Sequence, residues 1–257
     1  IAAKVQRLYG NAVSAQEVTI TSGATEALFA AISAVVRQDD EVIIFDPAYD
    51  SYEPAIHLNG GKTIRLALTP PHFKPDWQLL RDTINAKTRL IILNTPHNPT
   101  GTILNLEDLN QLAEVVRNTD VLLLADEVYE HIIFDGHLHQ SLHRHPELYA
   151  RSFVVSSFGK TYHTTGWKIG YCVAPSALTT EFRKIHQYLT FCTSAPMQLA
   201  LADTLRDNPQ HADNLGTFYQ HKRDEFCALL APTRFKLLPS TGSYFQLADY
   251  RHISDKP

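Results

Sequence analysis

The chain has 257 residues, of which 44% are hydrophobic and 19% charged, as in an ordinary globular protein with a substantial core. Its formal net charge of −4 argues against a basic surface for nucleic acid or an anionic membrane, and no apolar run is long enough to span a bilayer. The three cysteines, Cys172, Cys192 and Cys227, follow no metal-binding spacing, which indicates reduced thiols in a cytoplasmic protein.

Strand-length apolar runs alternate with helix-like stretches over the first two thirds of the chain. The opening segment, IAAKVQRLYGN, already has the spacing of an amphipathic helix, and the chain stops at ISDKP just after a strand-like segment. We therefore expect it to be part of a longer protein, cut at both ends. Helical spacing recurs over 24–37 and 106–117. Seven apolar runs predict strands: VTIT, EVIIFD, KTIRLA, RLIILN, VLLLAD, SFVVSS and KIGYCVA.

Apolar runs this continuous are typical of strands that are buried on both faces, as in parallel or mixed sheets covered by helices. Because strands alternate with helices, the sequence predicts an α/β fold with right-handed crossovers. The expected architecture is a mostly parallel seven-stranded sheet sandwiched by helices.

The pattern changes after about residue 176. Three long helical stretches follow, ending near residue 230, and two short strand candidates, RFKLL and GSYFQL, come after them. This change predicts a large domain over 1–212 and the incomplete start of a smaller α+β domain over 213–257.

In open α/β sheets, ligands bind at the carboxyl ends of the strands. Five of the predicted strands are followed by residues that can carry chemistry. These segments are Ser22-Gly23-Ala24-Thr25, Asp46-Pro47-Ala48-Tyr49, the stretch from Asn94 to Gly101, Asp126-Glu127-Val128-Tyr129, and Ser156-Ser157-Phe158-Gly159-Lys160. We expect them to meet at one edge of the sheet.

One part of this set has the groups of an anion site. The segment SGAT opens a predicted helix, and the N–H groups and dipole at a helix N-terminus favour a phosphate. Thr25, Ser157 and Lys168 can supply further donors. The sequence therefore predicts a phosphate site at the start of the helix over 24–37.

The other part suits a heteroaromatic ring. Tyr49 offers a flat face for stacking, and Asp126 can hold a pyridinium N–H and keep that ring cationic. Asn98 and Tyr129 can bond an oxygen substituent of the ring. Lys160 supplies an amine that can form a Schiff base with an aldehyde. Together with the phosphate site, these groups describe pyridoxal 5′-phosphate (PLP).

The motifs that carry these residues resemble those of the class I and II aminotransferases of PLP fold type I. They are SGATEAL, DPAYDSY, NTPHNPTG, ADEVYEH and SSFGKTYHTTGWKIGY, in the family's order and over nearly the whole chain. The variants NTPHNPTG and TGWKIGY most resemble the branch that contains bacterial methionine aminotransferase and the kynurenine and glutamine transaminases. In that branch a lysine, here Lys168, stands where other members carry an arginine.

The resemblance implies a role for each residue. Lys160 would bind the cofactor's aldehyde carbon and act as the base that moves the α-proton, and Asp126 would pair with the pyridine nitrogen. Asn98 and Tyr129 would bond the phenolic oxygen, and Tyr49 would stack on the ring. The phosphate would be held by Ala24, largely through its backbone N–H, and by Thr25, Ser157 and Lys168.

The resemblance also implies a reaction and an assembly. The expected activity is PLP-dependent transamination between an L-amino acid (methionine, aromatic or glutamine-like) and a 2-oxo acid, in a cytoplasmic homodimer. The family's arginine for the substrate carboxylate has no counterpart in this chain. Two alternatives use the same cofactor: a C–S lyase of the same fold, and a non-catalytic PLP-binding regulator domain.

Each residue also has an ordinary structural explanation. Lys160 could be a solvated loop lysine, Asp126 a helix N-cap and Tyr49 a core side chain. The histidine-rich stretch EHIIFDGHLHQSLHRHPE matches no zinc spacing, so we expect a surface connection and no metal. His163 follows Lys160 by three residues and is a weaker candidate for the site.

Overall fold

The fold is given by a computed structural model that describes residues 1–256. Its helices are α1 Ala2–Tyr9, α2 Gly23–Val35, α3 Tyr52–Leu58, α4 Trp77–Thr83, α5 Leu106–Val116, α6 Pro146–Tyr149, α7 Phe158–Thr161, α8 Ser176–Leu189, α9 Ala195–Asp207 and α10 Leu215–Leu230. Its strands are β1 Val18–Thr21, β2 Glu41–Asp46, β3 Lys62–Ala67, β4 Thr88–Asn94, β5 Leu122–Asp126, β6 Ser152–Ser157, β7 Gly170–Val173, β8 Lys236–Leu237 and β9 Ala248–Asp249.

The first seven strands form one sheet in the order β1-β7-β6-β5-β4-β2-β3. Strands β3, β2, β4, β5 and β6 pair in parallel, whereas β7 runs antiparallel to both β6 and β1. The prediction of a mostly parallel seven-stranded α/β sheet is confirmed. All seven apolar runs singled out in the sequence form its strands.

Both faces of the sheet are buried. Along β2, Val42 and Ile44 pack against α2, α3 and α8, whereas Ile43 and Phe45 pack against α4 and α5 on the other face. Each such side chain contributes roughly 1.5–3 kcal/mol on burial. This two-sided burial explains why the strands are continuously apolar.

The helix after β4 has a clear start signal. Asn105 Oδ1 accepts a hydrogen bond from the Asp108 backbone N–H at 2.9 Å, and Asp108 Oδ2 accepts one from the Asn105 N–H at 2.8 Å. This reciprocal capping satisfies two of the free N–H groups at the start of α5. The helix is thereby fixed at the end of the loop that contains Asn98.

The segment after β7 is helical, and β8 and β9 form a separate two-stranded sheet. The strand predicted for GSYFQL was wrong, because this stretch makes only a single bridge, between Ile133 and Gly242, and β9 starts after it. The backbone at the start of this stretch instead bonds to the loop after β4: the N–H groups of Thr241 and Gly242 both donate to the Gly101 carbonyl at 2.8 Å. Among residues 1–256, no helix is long and apolar enough to cross a membrane.

Candidate active site

A cavity of about 260 Å³ opens at the edge of the sheet where β1, β2, β4, β5 and β6 end. All nine site residues predicted from the sequence line it: Ala24, Thr25, Tyr49, Asn98, Asp126, Tyr129, Ser157, Lys160 and Lys168. Five strand ends supply eight of them, and Lys168 lies just before β7, so the parallel topology is what brings most of them together.

The start of α2 forms one wall of the cavity. Ser22 precedes the helix without a side-chain hydrogen bond to its first turn, so those N–H groups are not capped by it. Lys168 lies against this turn, with its Nζ 3.1 Å from the position that a Cβ on Gly23 would take. Two positive groups, an ammonium and a helix N-terminus, therefore lie side by side, an arrangement that favours an anion between or beside them.

The backbone beside this wall has no room for side chains. A Cβ on Gly170, the first residue of β7, would come within 2.5 Å of the Gly23 carbonyl carbon and 2.6 Å of the Ala24 nitrogen. Gly23 itself has a φ of +77°, in the region that favours glycine. The two glycines let β7 and the first turn of α2 approach closely, which leaves a narrow cradle at the start of the helix.

Asp126 lies at the end of β5 and is buried. Its Oδ2 accepts a hydrogen bond from the hydroxyl of Tyr52 at 2.8 Å, and its Oδ1 accepts one from the Val128 backbone N–H at 3.3 Å. Burial raises the pKa of Asp126 to about 6, and the two donors offset part of that shift. A cationic N–H within the cavity would find here an acid with little competition from water.

The loop after β4 carries an amide that lines the cavity, and the turn after β5 carries a phenol that also lines it. The Asn98 backbone N–H donates to Asn94 Oδ1 at 2.6 Å, and Asn94 Nδ2 donates to the Asp126 carbonyl at 2.9 Å. The loop of Asn98 is thus tied to the strand of Asp126. Burial, together with the neighbouring hydroxyl of Tyr244, raises the pKa of Tyr129, so this phenol remains a hydrogen-bond donor at neutral pH.

Lys160 lies in α7, a four-residue helix that begins where β6 ends. Its Nζ donates a 2.8 Å hydrogen bond to the hydroxyl of Tyr244. Tyr52 and Tyr244 are site residues that the sequence analysis missed. Tyr52 had a local signal, since it lies three residues after Tyr49 at the start of a helix; Tyr244 had none, because 84 residues separate it from Lys160.

Behind the cavity, Glu130 is the centre of a buried polar network. Its Oε1 accepts hydrogen bonds from Lys4 Nζ at 2.6 Å and from Ser156 Oγ at 2.5 Å. The hydroxyl of Tyr9 donates to Oε2, and that of Tyr171 donates to Oε1 at 3.2 Å. Burial alone would raise the pKa of Glu130, but the Lys4 ammonium and these donors hold it well below its usual range. The network ties α1 to β6 next to Ser157.

The expected surface position of the histidine-rich stretch was wrong for two of its residues. His139 and His143 are buried. His139 Nε2 lies 2.9 Å from Glu127 Oε2, and the ring of His143 stacks on Tyr9 at a centroid distance of 5.8 Å. Helix α1 covers these histidines, which explains a burial that the polar sequence does not indicate.

No group of three or more His, Cys, Asp or Glu side chains within residues 1–256 is arranged to hold a metal ion. His163 is exposed, with its ring 6.3 Å from that of Tyr219, and it is not among the described residues that line the cavity. The polar groups that line the cavity include Asp126, Tyr129, Lys160 and Tyr244.

A cradle at a helix N-terminus, a buried acid and a lysine at the strand ends of a mostly parallel sheet are the arrangement of a PLP enzyme of the aminotransferase fold. The chain belongs to the class I and II aminotransferase family, whose sequence profile matches residues 1–256. PLP is the cofactor of this family.

Two curated relatives illustrate the match. The chain is 52% identical over 255 residues to a methionine aminotransferase of Escherichia coli, covering 99% of this chain and 66% of the relative. It is 34% identical over 262 residues to human kynurenine–oxoglutarate transaminase 3, covering 95% of this chain and 58% of that protein. The chain thus spans somewhat less than two thirds of these relatives.

Solved structures agree with this placement. A methionine aminotransferase from Escherichia coli superposes with a TM-score of 0.98 at 52% identity, covering 99% of this chain and 68% of that one. An aspartate aminotransferase from Thermus thermophilus superposes with a TM-score of 0.92 at 28% identity, covering 99% and 67%. The fold of the chain is that of these enzymes.

Proposed function

We propose that the protein is a PLP-dependent aminotransferase, which moves an amino group from an L-amino acid to a 2-oxo acid. The observation that supports this most is that Lys160, Asp126 and the first turn of α2 all line one cavity. An amine, a buried acid and an anion cradle are the three groups that PLP chemistry requires of a protein.

The residues fit the cofactor group by group. Ala24, through its backbone N–H, Thr25, Ser157 and Lys168 would hold the phosphate, since they line the cradle at the start of α2. This end of the cavity already juxtaposes an ammonium with a helix N-terminus. A dianionic phosphate would therefore relieve an unfavourable pairing as well as gain hydrogen bonds.

The ring would lie against Tyr49, with its nitrogen at Asp126 and its phenolic oxygen at Asn98 and Tyr129. PLP, when bound, supplies an electrophilic carbon and a cationic ring that accepts the electron pair released at the substrate's Cα. Asp126 would pair with the ring nitrogen, because a buried carboxylate favours a cationic partner. Lys160 would hold the aldehyde carbon of the cofactor and would supply the base for the α-proton of the substrate.

The amino acids proposed as substrates are methionine and aromatic or glutamine-like residues. The support is the 52% identity to a methionine aminotransferase and the 34% identity to a kynurenine–oxoglutarate transaminase. The cavity also has aromatic walls, Tyr129, Tyr244 and Phe245, against which a thioether or a ring packs well.

The test of the proposal starts with the cofactor. The full-length protein is incubated with PLP, reduced with borohydride and digested, and the modified peptide is identified by mass spectrometry. We expect a pyridoxyl adduct confined to Lys160, absent from Lys160→Ala and unchanged in Lys184→Ala, which removes an exposed lysine of α8. An adduct scattered over surface lysines would contradict the proposal.

The reaction is tested next, with methionine in the presence and in the absence of a 2-oxo acid acceptor. An aminotransferase requires the acceptor for turnover. Release of ammonia and a 2-oxo acid without it would identify the C–S lyase instead. A Lys160 adduct with no turnover on any amino acid would indicate the regulator domain.

The proposal also includes the domain division and the cellular compartment. We infer a large cofactor domain over 1–212 and the start of a smaller domain over 213–257, supported by the seven-stranded sheet that ends at β7 and the separate β8–β9 sheet. The three free cysteines suit the reducing cytoplasm. Limited proteolysis, which cuts preferentially between domains, checks the boundary near 212.

We infer a homodimer as well. Near the end of α8 and on α9, Tyr188, Phe191 and Leu199 are 85%, 76% and 67% exposed, an unusual amount of apolar surface for a monomer. Sedimentation of the full-length protein tests this: a dimer that a Phe191→Ser and Leu199→Ser double variant dissociates would support it, and a monomeric wild type would refute it.

A further inference from the structure

The amine of Lys160 lies between two phenols. Its Nζ donates to the hydroxyl of Tyr244 at 2.8 Å, and it lies 5.4 Å from the centroid of the Tyr244 ring and 5.8 Å from that of Tyr129. The two hydroxyls are themselves 3.5 Å apart. Tyr244 is thus the side chain that makes the direct polar contact with this amine.

The backbone on either side of Tyr244 is firmly held. The N–H groups of Thr241 and Gly242 donate to the Gly101 carbonyl, and the Ser243 N–H donates to the Ile132 carbonyl, each at 2.8 Å. The contact is tight, since a Cβ on Gly101 would come within 2.3 Å of Ser240 Oγ. The turn therefore has a fixed position relative to the loop of Asn98.

The ring of Tyr244 is fixed by aromatic neighbours. It packs edge to face on Tyr129, with centroids 5.1 Å apart at 87°, and lies 5.0 Å from the Phe245 ring and 5.9 Å from the Tyr219 ring. Its hydroxyl is consequently an acceptor whose position does not depend on Lys160. The lysine side chain has a flexible four-carbon stem, so it is the lysine whose conformation adjusts to form the hydrogen bond.

We propose that Tyr244 is a positioning residue for Lys160: its hydroxyl accepts a hydrogen bond from Nζ and holds the free amine facing the cavity. The proposal rests on the PLP-dependent function proposed above. A lysine that acts both as nucleophile and as base needs its amine in a defined place whenever it is not bound to the cofactor. A hydrogen bond from Nζ to a rigid phenol selects one conformation of the lysine stem out of many.

This role predicts a specific kinetic signature. Without the hydroxyl, Lys160 still binds PLP, but its amine spends less time in the productive conformation. The steps in which the amine attacks or moves a proton should slow, whereas binding of the amino acid should not change. A residue that served only to pack the ring would leave these rates unchanged on loss of the hydroxyl alone.

The test compares Tyr244→Phe with Tyr219→Phe, which removes the hydroxyl of a neighbouring ring that does not line the cavity. The first readout needs no turnover: PLP is added to the cofactor-free full-length protein, and covalent capture is followed by visible absorbance. We expect capture by Tyr244→Phe to be about tenfold slower, which corresponds to the loss of one hydrogen bond of about 1.4 kcal/mol, and capture by Tyr219→Phe to match the wild type.

The second readout is steady-state turnover of methionine. We expect kcat of Tyr244→Phe to fall about tenfold with KM within about twofold, and the isotope effect from deuterium at the substrate's Cα to increase. Capture and kcat equal to wild type would overturn the proposal. A rise in KM alone would also overturn it, because Tyr244 would then be a substrate contact. An equal fall in urea stability and activity, shared by Tyr219→Phe, would mean a structural role.

These outcomes are separate from failure of the proposed function. If borohydride reduction of the wild type leaves Lys160 unmodified, the function itself is wrong. If the wild type is modified at Lys160 and turns over methionine while Tyr244→Phe behaves identically, only the positioning role is wrong.

Discussion

The hydroxyl of Tyr52 donates a 2.8 Å hydrogen bond to Oδ2 of Asp126, and both side chains are buried. Burial and the adjacent carboxylate raise the pKa of Tyr52 well above its usual value, so the phenol remains a donor. Tyr52 is therefore a fixed partner that stabilises the ionised form of Asp126 inside the protein.

The variant Tyr52→Phe removes that donor and keeps the ring. We expect the pKa of Asp126 to rise further above about 6, by about one pH unit, because an internal hydrogen bond is worth about 1 kcal/mol to the ionised form. Carbon NMR of the aspartate carboxyls over a pH series of the cofactor-free protein measures this. Tyr49→Phe is the control, since Tyr49 packs on Tyr52 without bonding Asp126; an equal shift in both variants would contradict the role of the hydrogen bond.

The raised pKa of Asp126 also makes stability depend on pH. The folded protein holds the proton up to about pH 6 and the unfolded chain only to 3.8. Between these values the folded state binds more protons, so stability falls as pH rises through this window and remains lower above it. The cost of the buried charge at neutral pH is about 3 kcal/mol.

Asp126→Asn should therefore stabilise the cofactor-free protein while abolishing its proposed activity. At neutral pH we expect a gain of up to about 3 kcal/mol in urea unfolding, which disappears near pH 4. The matched control is Asp108→Asn, which breaks a 2.5 Å ion pair with Lys74 and should destabilise. A gain in the Asp126 variant that did not depend on pH would contradict the assignment.

The sequence predicted the sheet because its strands carry their own signal: Ile43 and Phe45 face one core and Val42 and Ile44 the other, so each run is apolar throughout. The nine cavity residues were predictable for a related reason. A parallel topology places strand ends on one edge, and most of these residues follow strand ends directly.

What the sequence did not predict depends on contacts between distant segments. The contact of Tyr244 with Lys160 exists because the turn at 241–243 bonds to the Gly101 carbonyl, and nothing in GSYFQL indicates that partner. The same backbone bonds explain why this stretch is not a strand. The burial of His139 likewise depends on the position of α1, which covers a polar stretch whose sequence is typical of an exposed loop.

The Glu130 network is expected to stabilise the packing of α1, and a substitution of Glu130 tests that contribution. Glu130→Gln would leave the Lys4 ammonium buried without its carboxylate, and we expect a loss of about 3–5 kcal/mol in the free energy of unfolding at neutral pH. Because the pKa of Glu130 lies below its usual 4.5, the carboxylate contributes stability above that pH and loses it in stronger acid. The penalty of the variant should accordingly shrink as pH falls below about 4.

Urea unfolding of the cofactor-free protein at several pH values measures that penalty. The double variant Lys4→Met with Glu130→Gln removes both charges and should recover most of the loss, because a buried ion pair replaced by apolar groups is often neutral in stability. If the double variant were as unstable as Glu130→Gln alone, the cost would come from the other partners of Glu130, which are Tyr9, Ser156 and Tyr171.

The phosphate cradle is tested by a single methyl group. Gly170→Ala would place a Cβ within 2.5 Å of the Gly23 carbonyl carbon, so the first turn of α2 must move away from β7. Since a displacement of this kind would misalign the N–H groups proposed to bind the phosphate, we expect PLP to bind at least about tenfold more weakly.

Gly166→Ala is the matched control for the cradle, because nothing lies within 4 Å of the Cβ it would add. The PLP dissociation constant of each variant is measured by fluorescence titration, with circular dichroism to establish that both are folded. Wild-type affinity in a folded Gly170→Ala protein would mean that the close approach of β7 to α2 is not what forms the site. An equal loss in both variants would point to the 165–170 segment as a whole and away from the contact with Gly23.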